Sequence, residues 1–95
     1  MAQASSETDA ALARVRLPDD VDLHARPAAE FVKAAMGFDA AVWVAAGERE
    51  VDAKSLLSIL ALGAKRGTTL DLRAEGPQAA VAIEALTQLV TSLRE

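Results

Sequence analysis

A single histidine and a nearby arginine carry the strongest chemical signal in this sequence. His24 is the chain's one histidine, and the chain contains neither cysteine nor tyrosine. A nucleophile that works near neutral pH is therefore most readily supplied by His24. Arg26 follows it closely, and its planar guanidinium suits phosphate oxygens. These residue types predict an imidazole that carries a phosphoryl group.

A helix predicted directly after His24 would support this chemistry. Ala28, Phe31, Val32 and Ala35 recur at the spacing of one helical face. The free N–H groups and positive dipole end of a helix N-terminus bind phosphate groups. The alternative from spacing alone is that His24 is an ordinary surface or capping residue.

A metal site is a second alternative at the same place. Asp20, Asp22 and His24 alternate along the chain and could share one side, as in a small metal-dependent hydrolase. Acidic loops are usually only solvated, and no second histidine is present to complete a typical ligand set. We therefore expect no metal.

The segment 54–62 predicts a short helix with two apolar faces. At about 100° per residue, Ile59 and Leu62 fall on one face, whereas Leu56, Leu57 and Leu60 fall on another. A helix lying on a sheet buries one face, so we assign the first pair to the core. The three remaining leucines then predict an exposed docking surface. The alternative is a more deeply buried helix, with Leu60 packing sideways.

Ser55 stands at the start of this helix and has two interpretations. A serine at a helix start commonly caps the free N–H groups. It could also be phosphorylated, and the added charge beside the leucines would oppose docking. The spacing alone favours the cap.

The hydrophobic periodicity predicts the element order β-α-β-β-α-β-α. Four strands alternate or are short and apolar, and each long helix has one apolar stripe. The predicted strands are 12–17, 40–46, 49–53 and 68–74; the predicted helices follow His24, cover 54–62, and start at Gly76-Pro77. This order favours an α+β fold with one four-stranded sheet and helices on a single face.

Composition excludes several classes of protein. The chain has 95 residues, which suits one domain, and its formal charge is −4, which disfavours nucleic acid as a partner. The absence of cysteine excludes disulfides, and no apolar run reaches the roughly 20 residues that membrane insertion needs. Residues 1–10 lack the features of a secretory signal. We expect 1–10 to be a disordered extension of a domain at 11–95, in a cytoplasmic monomer.

Several segments together resemble the HPr family, the histidine-containing phosphocarriers of the bacterial sugar phosphotransferase system. The segment LHARPA at 23–28 resembles the active-site motif of that family, and AEFVKAAMGF at 29–38 resembles the rest of its first helix. AKSL at 53–56 resembles its regulatory-serine motif, and LGAKRG at 62–67 resembles the turn that follows. The likeness covers roughly residues 13–93.

The resemblance implies both a fold and a phosphoryl relay. The fold would be the HPr-like open-faced sandwich, a four-stranded antiparallel sheet with three helices on one face. Phosphorylated Enzyme I, charged from phosphoenolpyruvate, would phosphorylate Nδ1 of His24, and His24 would pass the group to an EIIA protein or domain. Arg26 would orient the phosphoryl group. The chain would be a relay with a phosphohistidine intermediate rather than a stand-alone enzyme, without a cofactor.

The resemblance also implies roles for the second helix and for one lysine. Ser55 would be the site of HPr kinase/phosphorylase in organisms that have that enzyme. Leu56, Leu57 and Leu60 would belong to the surface shared by Enzyme I and EIIA. Lys33 falls where the family often has a basic residue facing acidic partners.

The sequence departs from the family pattern just before His24. The family usually has glycine before the Leu-His pair, often preceded by asparagine; here Asp22 and Val21 occupy these positions. Aspartate tolerates a left-handed backbone, so we expect the turn to survive at Asp22. Asp19, Asp20 and Asp22 also place negative charge beside a site that must accept phosphate.

A regulatory interaction module is the alternative function. Such a protein, a nitrogen-type paralogue or a docking protein, would act through Ser55 and the leucines at 56, 57 and 60. Substitution of His24 separates the two, because it would abolish a relay and leave docking nearly intact.

Overall fold

The computed structural model describes residues 9–94, and within them seven elements follow the predicted order. The strands and helices are β1 (Ala10–Arg16), α1 (Ala25–Met36), β2 (Ala41–Ala46), β3 (Arg49–Asp52), α2 (Leu56–Leu62), β4 (Thr69–Glu75) and α3 (Ala79–Thr91). The predicted α+β class is confirmed.

The four strands form one antiparallel sheet in the order β1-β4-β2-β3. β2 and β3 form the predicted hairpin, in which Gly47 takes a φ of +63° that side-chain-bearing residues rarely adopt. β4 lies between β1 and β2, so the chain crosses from β1 to β2 through α1. The predicted open-faced sandwich is confirmed.

The two faces of the sheet differ in chemistry because β4 alternates. Leu70, Leu72 and Ala74 are buried beneath the helices. On the opposite face the Arg73 guanidinium lies 3.8 Å from the centre of the Trp43 ring and pairs with Glu50 and Glu75. One face of the sheet is therefore packed into the core. The other face carries ion pairs and is not covered by a second layer of helices.

The helices pack on the apolar face, with α3 across β1 and β4 and α1 against both α2 and α3. α1 turns Ala28, Phe31, Val32 and Ala35 inward, as its periodicity predicts. Across residues 9–94, no helix is both long and apolar enough to cross a bilayer.

Most element boundaries differ by one or two residues from the sequence-based expectation; α2, for example, begins at Leu56 and not at 54, because Ser55 is its N-cap. Two of the differences have a clear structural description. β1 begins at Ala10, which pairs with Glu75, so the strand enters the segment predicted as an extension; residues 1–8 lie outside the described residues. α3 begins at Ala79 and not at Gly76, because Gly76 has a φ of +134°, which is not helical geometry. A β-carbon at this position would lie only 3.0 Å from the Ala40 α-carbon. The division of the chain into 1–10 and 11–95 stays a prediction.

Leu23 anchors the chain directly before His24, and its side chain is fully buried. Leu23→Ala is expected to lower the free energy of unfolding by about 2–5 kcal/mol, since it opens a cavity in the core. Leu12, at 75% exposure, is the matched control, and Leu12→Ala is expected to change stability by less than about 0.5 kcal/mol. Urea denaturation followed by circular dichroism measures both; equal losses would contradict the role of Leu23.

Candidate functional site

His24 lies in a short exposed arch between two buried anchors. Val21 and Leu23 are fully buried before it, and Pro27 and Ala28 are buried after it. Residues 24–26 between them are all exposed. The fold therefore presents His24 and Arg26 together on the surface while both ends of the arch are fixed in the core.

His24 occupies the N-cap position of α1, with φ −143° and ψ 163°, but its side chain makes no capping hydrogen bond. The imidazole is exposed. The side chain therefore does not cap α1, and the ring nitrogens are not used to hold the helix together. The other alternative, an ordinary surface histidine, is compatible with this exposure.

The backbone strain in the arch lies at Ala25 and not at Asp22. Ala25 has a φ of +48°, and it is the one non-glycine residue in the range 9–94 with a positive φ. An alanine in this region costs roughly 1–2 kcal/mol. The expectation of a left-handed turn at Asp22 is wrong. The chain reverses after His24 instead, which turns the imidazole out at the end of α1.

The N-terminus of α1 leaves backbone donors beside His24. The first N–H groups of a helix have no acceptor within it. Pro27 has no N–H, and Ala28 donates to the His24 carbonyl at 3.4 Å. The amides of Ala25 and Arg26 remain, both on exposed residues. This end of α1 therefore offers N–H donors and the positive end of its dipole to an anion on His24.

The segment before His24 is held by the turn between α2 and β4. The Leu17 N–H donates to the Thr68 carbonyl at 2.9 Å, and the Leu23 N–H donates to the Ala64 carbonyl at 2.9 Å. The Gly67 N–H donates back to the Pro18 carbonyl at 3.1 Å. The two segments are thus joined at both ends, although they are far apart in sequence.

Two of the three aspartates before His24, Asp19 and Asp22, are paired with arginines. Arg16 Nη2 lies 2.7 Å from Asp19 Oδ1, and the Arg66 backbone N–H donates to Asp22 Oδ1 at 2.7 Å. The Arg66 guanidinium also donates to both Asp22 oxygens, at 3.3 and 3.4 Å. Hydrogen bonds from the Arg66 side chain and then its backbone hold the pKa of the Asp22 carboxyl below its ordinary value.

This arrangement does not assemble the metal site considered above. Asp22 is directed to Arg66, and within the described part of the chain no three His, Cys, Asp or Glu side chains lie close enough to share a metal ion. Asp20, Asp22 and His24 are therefore not brought together as a ligand set.

A small pocket of about 120 Å³ adjoins His24, lined also by Asp22, Leu23, Gly63, Ala64 and Lys65. Lys65 and Arg66 have no role predicted from the sequence, and the fold brings both to the site from the turn after α2. Two adjacent basic residues between Gly63 and Gly67 are the sequence feature that indicates such a role. Their spacing does not predict which surface of the folded protein they reach.

Ser55 caps α2, as the spacing favours. Its Oγ accepts a hydrogen bond from the Ser58 N–H at 3.2 Å. Ile59 and Leu62 are buried, whereas Leu56 is 41% and Leu57 80% exposed; Leu60 is half-buried. The predicted split of the two faces matches this burial pattern. The assignment of the exposed leucines to a partner surface stays a prediction.

The leucines lie near His24 along α2. A helix rises about 1.5 Å per residue, so Leu60 is about 5 Å and Leu56 about 10 Å along the axis from Gly63. Gly63 ends α2 and lines the His24 pocket. The C-terminal end of α2 therefore lies beside the His24 pocket, and Leu60 precedes it by about one turn.

Lys33 occupies a different flank of α1. It is exposed in the last turn of the helix and lines a groove with Phe38, Ala85 and Leu89, between α1 and α3. Its role as a partner contact stays a prediction.

Known proteins are similar to this chain in both sequence and fold. A family model described as "PTS HPr component phosphorylation site" matches residues 12–92. The phosphocarrier protein HPr of Vibrio cholerae is 42% identical over 80 residues, which cover 84% of this chain and 94% of that protein. A multiphosphoryl transfer protein of Xanthomonas campestris is 39% identical over 71 residues, which cover 75% of this chain and 8% of that protein.

The structural comparison agrees. The crystal structure of a phosphocarrier protein HPr from Bacillus anthracis has a TM-score of 0.83 at 34% identity, covering 87% of this chain and 99% of that one. The exposed histidine at the start of α1, the sheet order and these matches lead to one conclusion. The chain belongs to the HPr family, the phosphocarriers of the phosphotransferase system.

Proposed function

We propose that this chain accepts a phosphoryl group on His24 from phosphorylated Enzyme I and passes it to an EIIA protein or domain in sugar uptake. The observation that carries the proposal is the position of His24. Its imidazole is exposed, takes no part in capping and sits where the N-terminus of α1 offers N–H donors.

The transfer is a balanced exchange of one bond to phosphorus for another. The lone pair on Nδ1 of His24 attacks phosphorus, and a new N–P bond forms. The bond between phosphorus and its donor atom on Enzyme I breaks, and the electron pair of that bond leaves with the donor atom. The same exchange, with EIIA as the acceptor, passes the group on from His24. The chain is thus a relay and not a stand-alone enzyme.

The charges beside His24 support this step. Arg26 is exposed on the same arch, and Lys65 lines the same pocket. Neither forms an ion pair with a carboxylate of residues 9–94. Cations and helix N–H groups stabilise the charge that a transferring phosphoryl group develops. Arg26 orients the group, with the amides of α1 as its partners in this task.

The surface that meets both partners consists of Leu56, Leu57 and Leu60 on α2, next to His24. Exposed leucines in a cluster favour a protein partner, because their burial on docking removes apolar area from water. The basic side chains beside His24, Arg26 and Lys65, suit acidic partners. Lys33, on the other flank of α1, would extend the basic rim.

Ser55 is the proposed regulatory site, modified by HPr kinase/phosphorylase. Its hydroxyl is the cap of α2 and directly precedes Leu56 and Leu57. A phosphate there would place about two negative charges at the edge of the docking surface and oppose the approach of acidic partners. If His24 were not used, regulation through this surface would be the function that remains.

The proposed relay works as a cytoplasmic monomer that binds no nucleic acid. The net charge of −4 supports the last point, because a nucleic-acid surface would need a basic excess.

Intact mass measured after mixing the chain with Enzyme I and phosphoenolpyruvate tests the relay. We expect one added phosphoryl group that is lost in mild acid, as a phosphohistidine would be, and no addition to His24→Ala. Addition of EIIA should then remove the group from the chain. A folded protein that gains no mass in the presence of active Enzyme I would overturn the relay and leave the regulatory module.

Leu57→Ala tests the docking surface through the steady-state kinetics of Enzyme I. We expect its KM for this variant to rise by about tenfold with little change in kcat, because one leucine contributes roughly 1–2 kcal/mol of buried area. Ser55→Asp should also raise KM, through charge.

Leu12→Ala is the control, because Leu12 is equally apolar and exposed but lies on the open face of the sheet. The docking assignment fails if Leu57→Ala leaves KM unchanged, or if Leu12→Ala raises it as much.

A further inference from the structure

The residue two positions before His24 is held by its side chain across the molecule. Asp22 Oδ1 accepts a hydrogen bond from the Arg66 backbone N–H at 2.7 Å, and the Arg66 guanidinium donates to the same carboxylate. The neighbouring Leu23 N–H donates to the Ala64 carbonyl at 2.9 Å. Side chain and backbone thus bind the segment 22–23 to the turn at 64–66.

These contacts reach His24 directly. The His24 N–H donates to the Asp22 carbonyl at 2.8 Å, so the backbone of Asp22 fixes the first atom of His24. Beyond His24 the chain enters the strained Ala25, with a φ of +48°. A strained arch keeps one conformation only when its surroundings determine it. On the side before His24, that constraint comes from Asp22 and Leu23.

We propose that Asp22 and Arg66 form a clamp that positions His24 for phosphoryl transfer, with Asp22 as a positioning residue. The proposal rests on the relay function above and adds a part to its site. The clamp stands where the family usually has glycine, so in this chain a side chain provides the hold on the loop.

The charge of Asp22 and its hydrogen bonds have opposite expected effects on the reaction. A carboxylate near His24 repels the incoming phosphoryl group, whereas its hydrogen bonds hold the loop. Arg66 offsets the charge, and its hydrogen bonds lower the pKa of Asp22, so the pair stays formed at neutral pH. Two substitutions separate these effects, because asparagine keeps an oxygen for the Arg66 N–H and alanine does not.

The experiment compares Asp22→Ala with Asp22→Asn as substrates of phosphorylated Enzyme I. Asp22→Ala is expected to lower kcat about tenfold or more through misplacement of the imidazole, with KM changed less than about twofold. Asp22→Asn should restore kcat to within about twofold of wild type, since the acceptor oxygen returns without the charge. Arg66→Ala, which keeps its backbone N–H, should fall between the two.

Asp19→Ala is the matched control. Asp19 lies in the same segment and is paired with Arg16, so its carboxylate lies beside Gly67, whereas the Asp22 carboxylate accepts the Arg66 backbone N–H. It should behave as wild type. Thermal melts of all variants identify any that fail to fold. If Asp22→Ala does not fold, the kcat values of Asp22→Asn and Arg66→Ala still test whether the clamp positions His24.

The outcomes separate the clamp from the relay. Wild-type kcat in Asp22→Ala, or equal losses in Asp22→Ala and Asp22→Asn, would overturn the clamp while the relay stands. If Enzyme I does not phosphorylate even the wild type, the relay fails. The same ratio of rates is then measured with phosphoramidate, a small donor that needs no docking and releases ammonia; an unchanged rate in Asp22→Ala would overturn the clamp there as well.

Discussion

The site depends on opposite burial of two neighbouring residues. Leu23 must be buried to anchor the end of the loop, and His24 must be exposed to react. Pro27 and Ala28 return to the core, so only residues 24–26 remain outside. Ala25 takes a positive φ within this arch, directly after His24. The strained residue therefore lies between the two buried ends that hold it in place.

The buried residues on either side of 24–26 do not take part in the reaction. The loop before Leu23 can therefore differ in sequence, provided that some contact fixes its position. In this chain the Asp22 side chain adds to the backbone hydrogen bond from Leu23 to Ala64. Asp22 reaches Arg66, and Arg66 in turn offsets the charge that Asp22 brings to a phosphate site. A substitution that would by itself oppose phosphate binding is therefore accompanied by the cation that neutralises it. The stability of the fold and the reactivity of His24 can in this way change separately.

The sequence predicted the elements well because their signals are local. Period-two alternation in β1 and β4 and the apolar stripe of α1 each lie within one short window. The sheet order β1-β4-β2-β3 depends on pairings between distant segments, and the resemblance, not the periodicity, implied the fold that contains it. His24, Arg26 and Ser55 belong to contiguous motifs. The Asp22–Arg66 contact joins residues 44 apart, and no window along the chain could reveal it.

The sign of the charge at His24 also could not be read from composition. The chain carries a net charge of −4, yet its cations are distributed unevenly between paired and accessible positions. On the open sheet face Arg14 pairs with Asp71, and Arg73 pairs with two glutamates. Beside His24, Arg26 and Lys65 form no such pair with a carboxylate of residues 9–94. Arg26 and Lys65 can therefore add their charge to the N-terminus of α1, which already attracts an anion. An acidic protein can in this way keep a basic site for phosphate and for acidic partners.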